Sequence, residues 1–209
     1  DLTGKRVGII GTGSTASQII SVLPKTVNNL SVFQRTAQWI VPIPNREYSE
    51  KLKQKCHKSP LRVELVKSAY RTVFEQVFSK ALVGNKLSHA ILNIACRLNL
   101  RLSVKDPVLR KKLTPDYKVG CKRLVMSSAF YGGIQQDNVD LVTSGIDCIT
   151  PQGVKTIDGK VHQLDVLVLS TGFNPVAYMR PMNMTGKDGV DIEQTWEKKV
   201  RAYRSVLLP

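Results

Sequence analysis

Val7-Gly8-Ile9-Ile10-Gly11-Thr12-Gly13-Ser14-Thr15-Ala16, followed by Leu30-Ser31-Val32-Phe33-Gln34-Arg35-Thr36, decides the fold of this chain. A short apolar run enters a turn held by two glycines. Ile19, Ile20, Val22 and Leu23 then supply the buried side of a helix that is expected to begin near Ser14 and end near Pro24, with the Ser14 hydroxyl capping its free N–H groups. A second apolar run follows. Strand, glycine turn, helix and strand in that order form the front of a β-α-β unit that binds a dinucleotide.

Gly11-x-Gly13-x-x-Ala16 carries the chemistry of that unit. The first glycine permits the tight turn, the second lets backbone approach a pyrophosphate, and the third position needs a small residue for helix–strand packing, which Ala satisfies. The helix N-terminus adds unpaired N–H groups and partial positive charge. Gly11, Thr12, Gly13, Ser14, Thr15 and Ala16, with Gln18 in the next turn, are the candidate phosphate contacts. The second strand distinguishes the two nicotinamide cofactors. NAD selection asks for an acidic residue at its end, to bond the ribose 2′-hydroxyl. Gln34-Arg35-Thr36 stands there instead, with Arg35 lying 24 residues after Gly11. A guanidinium pairs with the 2′-phosphate of NADP, and the Thr36 hydroxyl adds a donor.

The 209 residues suffice for one large domain or two small ones, and 42% hydrophobic with 22% charged residues suits a globular protein. Lys and Arg outnumber Asp and Glu by 31 to 16, a net charge of +15. They are spread widely, with one concentration from Lys51 to Lys58, and no nucleic-acid-binding pattern accompanies them; peripheral contact with an acidic membrane face is a better match than nucleic acid. Cys56, Cys96, Cys121 and Cys148 are far apart and contain no CxxC pair, so free thiols in a reducing compartment, the cytoplasm, are expected, with no metal site. His57, His89 and His162 show no ligand spacing. No apolar run has the ~18–20 residues of a membrane span.

Residues 37–60, with Pro42, Pro44 and Pro60, read as loop or linker. The helical stretch over 61–104 has one stripe at Leu61, Leu65, Ala69, Val73, Val77 and Ala81, a break at Gly84-Asn85, and a second stripe at Leu87, Ile91, Ile94, Leu98 and Leu102. The two read as a helical pair inserted into the α/β scaffold, with the aromatics beside the first stripe, Tyr70, Phe74 and Phe78, as core rather than a ligand box. Beyond Asp116, short strands are expected at 124–126, 139–142, 148–149, 154–157 and 160–164, the last two joined by an Asp158-Gly159 turn. Val166-Leu167-Val168-Leu169 reads as a strand buried on both faces, and a helical piece is expected around 192–199.

These pieces, in order, resemble the Baeyer–Villiger-type flavin monooxygenases. The matching residues are Gly4-Lys5-Arg6-Val7-Gly8-Ile9-Ile10-Gly11-Thr12-Gly13-Ser14, Val32-Phe33-Gln34-Arg35-Thr36 and Trp39. They continue in Thr114-Pro115-Asp116-Tyr117, Gly120-Cys121-Lys122-Arg123 and Asp165 through Phe173. The resemblance spans essentially the whole chain. It implies an α/β fold: a Rossmann-like NADP-binding domain over 1–115, with a helical insertion at about 45–113, and an incomplete returning segment of the NADP and FAD domains over 116–209. It also implies NADP and FAD as cofactors, and insertion of one atom of O2 into a ketone through a flavin C4a-peroxide to give an ester or lactone. Lys122 is similar to a lysine that reaches the NADP 2′-phosphate. Arg123 is similar to the catalytic arginine that stabilises the anionic flavin adduct. Thr171 and Gly172 match the interdomain connection near the cofactors.

The chain departs from the family pattern in several places. A first glycine motif for the ADP part of FAD is absent, as is the Phe-x-Gly-x-x-x-His-x-x-x-Trp signature. Gly132-Gly133 stands where a bulkier, proline-containing continuation is usual. The opening at Asp1 without Met and the ending in Val206-Leu207-Leu208-Pro209 read as a piece of a longer polypeptide, expected to be inactive by itself and unable to hold FAD tightly. A related monooxygenase oxidising nitrogen or sulfur, and a non-catalytic NADP(H)-binding module, are the alternatives.

Overall fold

The computed structural model describes residues 1–43, 45, 47–174, 181–197 and 199–202. The chain begins with β1 (Arg6–Ile10), α1 (Ser14–Val22) closed by a 3-10 turn at Leu23–Lys25, and β2 (Asn29–Phe33). After β3 (Ile40–Val41) come α2 (Glu50–Lys58), α3 (Pro60–Val73), a π-helical segment (Phe74–Ser79) running into α4 (Lys80–Leu82), α5 (Lys86–Ser103) and α6 (Pro107–Lys112). The remainder holds β4 (Val125–Met126), α7 (Phe130–Ile134), β5 (Val139–Val142), β6 (Ile146–Thr150), β7 (Gly153–Thr156), β8 (Val161–Gln163), β9 (Val166–Leu169) and α8 (Ile192–Thr195).

The fold is α/β, centred on a parallel sheet in the order β5-β2-β1-β9. Val7, Ile9, Leu30 and Val32 are fully buried within it, because parallel strands covered by helices have no solvated face. Helix α1 presents Ala16 and Ile20 to the same core. Gly133 brings α7 against α1: a Cβ there would stand 2.3 Å from the Ile20 carbonyl oxygen. The glycine pair that departs from the family pattern is therefore, at Gly133, a packing requirement. Strands β6, β7 and β8 form a separate antiparallel sheet, with Gly159 at φ +84° in the turn expected at Asp158-Gly159. Among the described residues, no helix is long and apolar enough to cross a membrane and no cluster of ligating side chains suits a metal. All four cysteines are unpaired, and burial pushes the Cys96 thiol up to about 11.

Several expectations are corrected. Residues 37–60 are not all loop. Ser49 caps α2 by accepting from the Leu52 N–H, and Glu50 at its start with Lys55, His57 and Lys58 at its end complement the helix dipole. Of the helical pair, Ala81 is buried in the core and Val77 and Phe78 pack half-buried against it, but Tyr70, expected as core, is exposed. Helix α3 buries nothing, and α5 buries Ser88, Leu92, Cys96 and Leu100 while Leu87, Ile91, Ile94, Leu98 and Leu102 face solvent. Val22 is likewise exposed. Strand β9 pairs only with β1 among the described residues and is half-buried, not buried on both faces. Helix α6 falls within the helical insertion expected at about 45–113.

Strands β5 and β9, from the segment expected to return after residue 115, share one sheet with β1 and β2. The chain forms two compact units, Asp1–Thr171 and Gly172–Pro209. In the second, a bridge joins Thr185 to Asp191, and the Asp191 carboxylate caps α8 by accepting from the Glu193 and Gln194 N–H groups. The helix is shorter than expected, and Lys198 and Val206-Leu207-Leu208-Pro209 lie outside the described residues.

Candidate functional site

The carboxyl ends of β1 and β2 are held together at the glycine turn. The Gly11 N–H donates to the Phe33 carbonyl at 3.0 Å, and the Thr12 hydroxyl donates to the Thr36 carbonyl at 3.2 Å. Gly11 has φ +108°, and a Cβ there would lie 2.4 Å from the Ser170 carbonyl oxygen, so glycine is required both by the turn and by the close passage of the segment following β9. Thr171 is consequently beside the glycine turn, exposed. Gly172, at φ +91°, opens the second unit.

Gly13, not Ser14, is the N-cap of α1, in extended conformation and without a side-chain cap. The sequence had assigned the cap to the Ser14 hydroxyl; instead Ser14 occupies the first helical position and its carbonyl accepts from Ser17 Oγ at 2.9 Å. The first helical bond runs from the Ser17 N–H to the Gly13 carbonyl, which leaves the N–H groups of Ser14, Thr15 and Ala16 without an intrahelical acceptor. Among the described residues, no heavy atom outside its immediate chain neighbours lies within 4 Å of a Cβ built on Gly13. The turn thus combines open space, free donors and a helix dipole with no acidic residue in the first turn. Ala16 is fully buried, as the packing role of the third motif position demands, while Ser14, Thr15 and Gln18 are exposed.

At the end of β2, buried Gln34 donates its side-chain amide to the Lys112 carbonyl at 2.8 Å and its N–H to the Val142 carbonyl at 2.8 Å. Its Oε1 has no partner among the described residues. Arg35 points outward and forms no hydrogen bond or ion pair among the described residues. The Thr36 carbonyl accepts from both Thr12 and Gln38.

Lys122 reaches this place from far along the chain. Its ammonium lies 4.6 Å from the centroid of the Tyr117 ring. The Tyr117 hydroxyl donates to Gln38 Oε1 at 3.1 Å, and the Tyr117 carbonyl accepts from the Trp39 indole N–H at 2.8 Å. Burial is the main cause that raises the Tyr117 hydroxyl above the ordinary phenol range, so it remains a neutral donor. Strand β3 pairs in parallel with β4, fixing the segment that carries Lys122 and Arg123 against the one that carries Arg35 and Thr36. Arg123 is exposed and without a partner among the described residues. Gln38 and the role of Tyr117 escaped the sequence reading, because two residues 79 apart give no local signal of their contact.

No family model matches the chain. It is 45% identical over all 209 residues to an uncharacterized monooxygenase of Mycobacterium tuberculosis, covering 42% of that protein. It is 33% identical over 98% of its length to a Baeyer–Villiger monooxygenase of Pseudomonas aeruginosa, covering 38% of it. Among solved structures, OTEMO in complex with FAD and NADP matches with a TM-score of 0.77 at 32% identity, over 97% of this chain and 44% of that one. A cyclohexanone monooxygenase mutant from Rhodococcus bound to NADP+ matches with a TM-score of 0.76 at 26% identity, over 97% of this chain and 46% of that one. The chain therefore spans about two-fifths of the length of the curated relatives it matches.

Proposed function

Because the chain is homologous to a continuous stretch of the Baeyer–Villiger-type flavin monooxygenases, we propose that it forms the NADPH-binding part of such an enzyme. The pyrophosphate rests on the unpaired N–H groups at the start of α1, over the open space at Gly13. Arg35 and Lys122 meet the 2′-phosphate, with the Thr36 hydroxyl as a further donor. The observation that supports this reading is the chain of contacts from Thr12 to Thr36 to Gln38 to Tyr117 to Lys122, which ties the segment holding Lys122 to the strand end that carries Arg35. A charge-assisted bond of this kind contributes about 1.5–3 kcal/mol, enough for a tenfold preference over a cofactor lacking the phosphate.

FAD, supplied with its own nucleotide site by sequence that this chain does not contain, provides the oxygen-transferring chemistry. Arg123 offers a permanently charged guanidinium to negative charge that develops during oxygen insertion. Thr171 and Gly172 form the connection that continues beside the cofactors. The substrate is a ketone and the co-substrate O2, with an ester or lactone as product.

Titration with NADPH and NADH tests the site. The expected result is tighter binding of NADPH by tenfold or more, with Arg35→Ala and Lys122→Ala each removing most of that preference while NADH affinity stays the same. Equal affinities in the unaltered chain, or NADPH binding indifferent to both substitutions, refute the assignment.

A further inference from the structure

We propose that the bare aliphatic faces of α5 and α3 dock this protein on an anionic phospholipid surface. Helix α5 is fixed from behind by Leu92, Cys96 and Leu100, all buried. Its other side carries Leu87, Ile91, Ile94, Leu98 and Leu102, between 47% and 72% exposed. Spacings of four, three, four and four align these five in one seam about 22 Å long. Helix α3 repeats the theme without any buried residue: Leu61, Leu65, Val66, Tyr70 and Val73 are all exposed. So much uncovered apolar surface on ordered helices marks an interaction face.

Charge identifies the occupant. Between Glu50 and Lys112 there are fifteen Lys and Arg against four Asp and Glu, so this insertion holds most of the net charge of +15. Helix α5 has no acidic residue at all. Arg101 lies between Leu98 and Leu102 along it, and Lys86 opens it beside Leu87; neither makes an ion pair among the described residues. A membrane face presents acyl chains beneath a layer of negative phosphates, which meets both halves of this pattern together. The aliphatics enter the interface, and the cations extend along it to the headgroups. Because the core already holds α5 in place, binding does not require the helix to fold. The helices lie on the surface, since none among the described residues is long and apolar enough to cross it.

Flotation of the 209-residue chain with vesicles tests this. It is expected to float with phosphatidylcholine vesicles containing phosphatidylglycerol, to be released by high salt, and to stay unbound with phosphatidylcholine alone. Ile94→Asp combined with Leu98→Asp is expected to weaken binding about tenfold or more while circular dichroism and NADPH titration are unchanged. Failure to float with the anionic vesicles overturns the proposal, as does undiminished binding by the doubly substituted chain. A dimer in sedimentation that this variant disperses, without vesicle binding, assigns the seam to a second copy and likewise overturns it. The NADPH titration fails or succeeds independently of all these outcomes.

Discussion

The parallel sheet and the helical insertion that follows β3 both contain regular runs of aliphatic residues and use them in opposite ways. In the sheet, Val7, Ile9, Leu30 and Val32 are fully enclosed, and the polar groups nearby are drawn into bonds such as Thr12 to Thr36. In the insertion, α3 encloses nothing and α5 only one side. Local signals hold these helices instead: Ser49, Ser59 and Asn85 side chains each accept an N–H at a helix start. The sheet carries the stability and positions the glycine turn. The insertion is a basic, apolar surface mounted on it.

The largest expected effect that sharpens this contrast is at two glycines of positive φ. Gly11→Ala combines backbone strain at φ +108° with a collision against the Ser170 carbonyl, and is expected to destabilise by about 4 kcal/mol and to abolish NADPH binding. Gly84→Ala in the insertion meets strain at φ +95° but no atom of the described residues within 4 Å, so about 1–2 kcal/mol is expected. Urea denaturation of both measures the difference; equal losses break the comparison.

A smaller but cleaner separation comes from truncating leucines. Leu30→Ala removes a fully buried side chain from β2 and is expected to cost about 2–5 kcal/mol, whereas Leu65→Ala on exposed α3 changes stability by no more than about 0.5 kcal/mol. A comparable cost at Leu65 in thermal or chemical melts refutes the picture of an uncovered helix.

The smallest effect concerns the ion pair between Arg6 of β1 and Asp165, which immediately precedes β9. Arg6 donates to Asp165 at 2.6 Å, and this hydrogen bond, with a second from the Arg6 N–H, lowers the Asp165 carboxyl to about 2. The unfolded carboxyl titrates near 3.9. A folded pKa below the unfolded one means that the contribution is complete above about pH 4 and is lost as pH falls through about 2. Asp165→Asn is expected to flatten that part of the acid limb of stability against pH while changing neutral stability little, because the pair is solvent-accessible. An unchanged acid limb disproves the coupling.

Sequence by itself determined the β-α-β front, the glycine turn, the interruption at Gly84-Asn85 and the Asp158-Gly159 hairpin, since each follows from a periodicity or a backbone requirement local to a few residues. The cation at the end of β2 was equally legible, because an acid was missing from the place where one is needed to bond a 2′-hydroxyl. Tertiary structure alone decided which stripe of α5 is buried: Leu92, Cys96 and Leu100 make as good a helical row as Leu87, Ile91 and Ile94, and only the elements that pack against the helix choose between them. It also decided that Gln38, Tyr117 and Lys122 meet, that Gly133 touches α1, and that β9 stands at the edge of the described sheet. The physical reason is common to all four. Hydrophobic burial is proportional to the area covered and has no direction of its own, so a sequence specifies what is apolar, while the choice of what covers it belongs to residues distant along the chain.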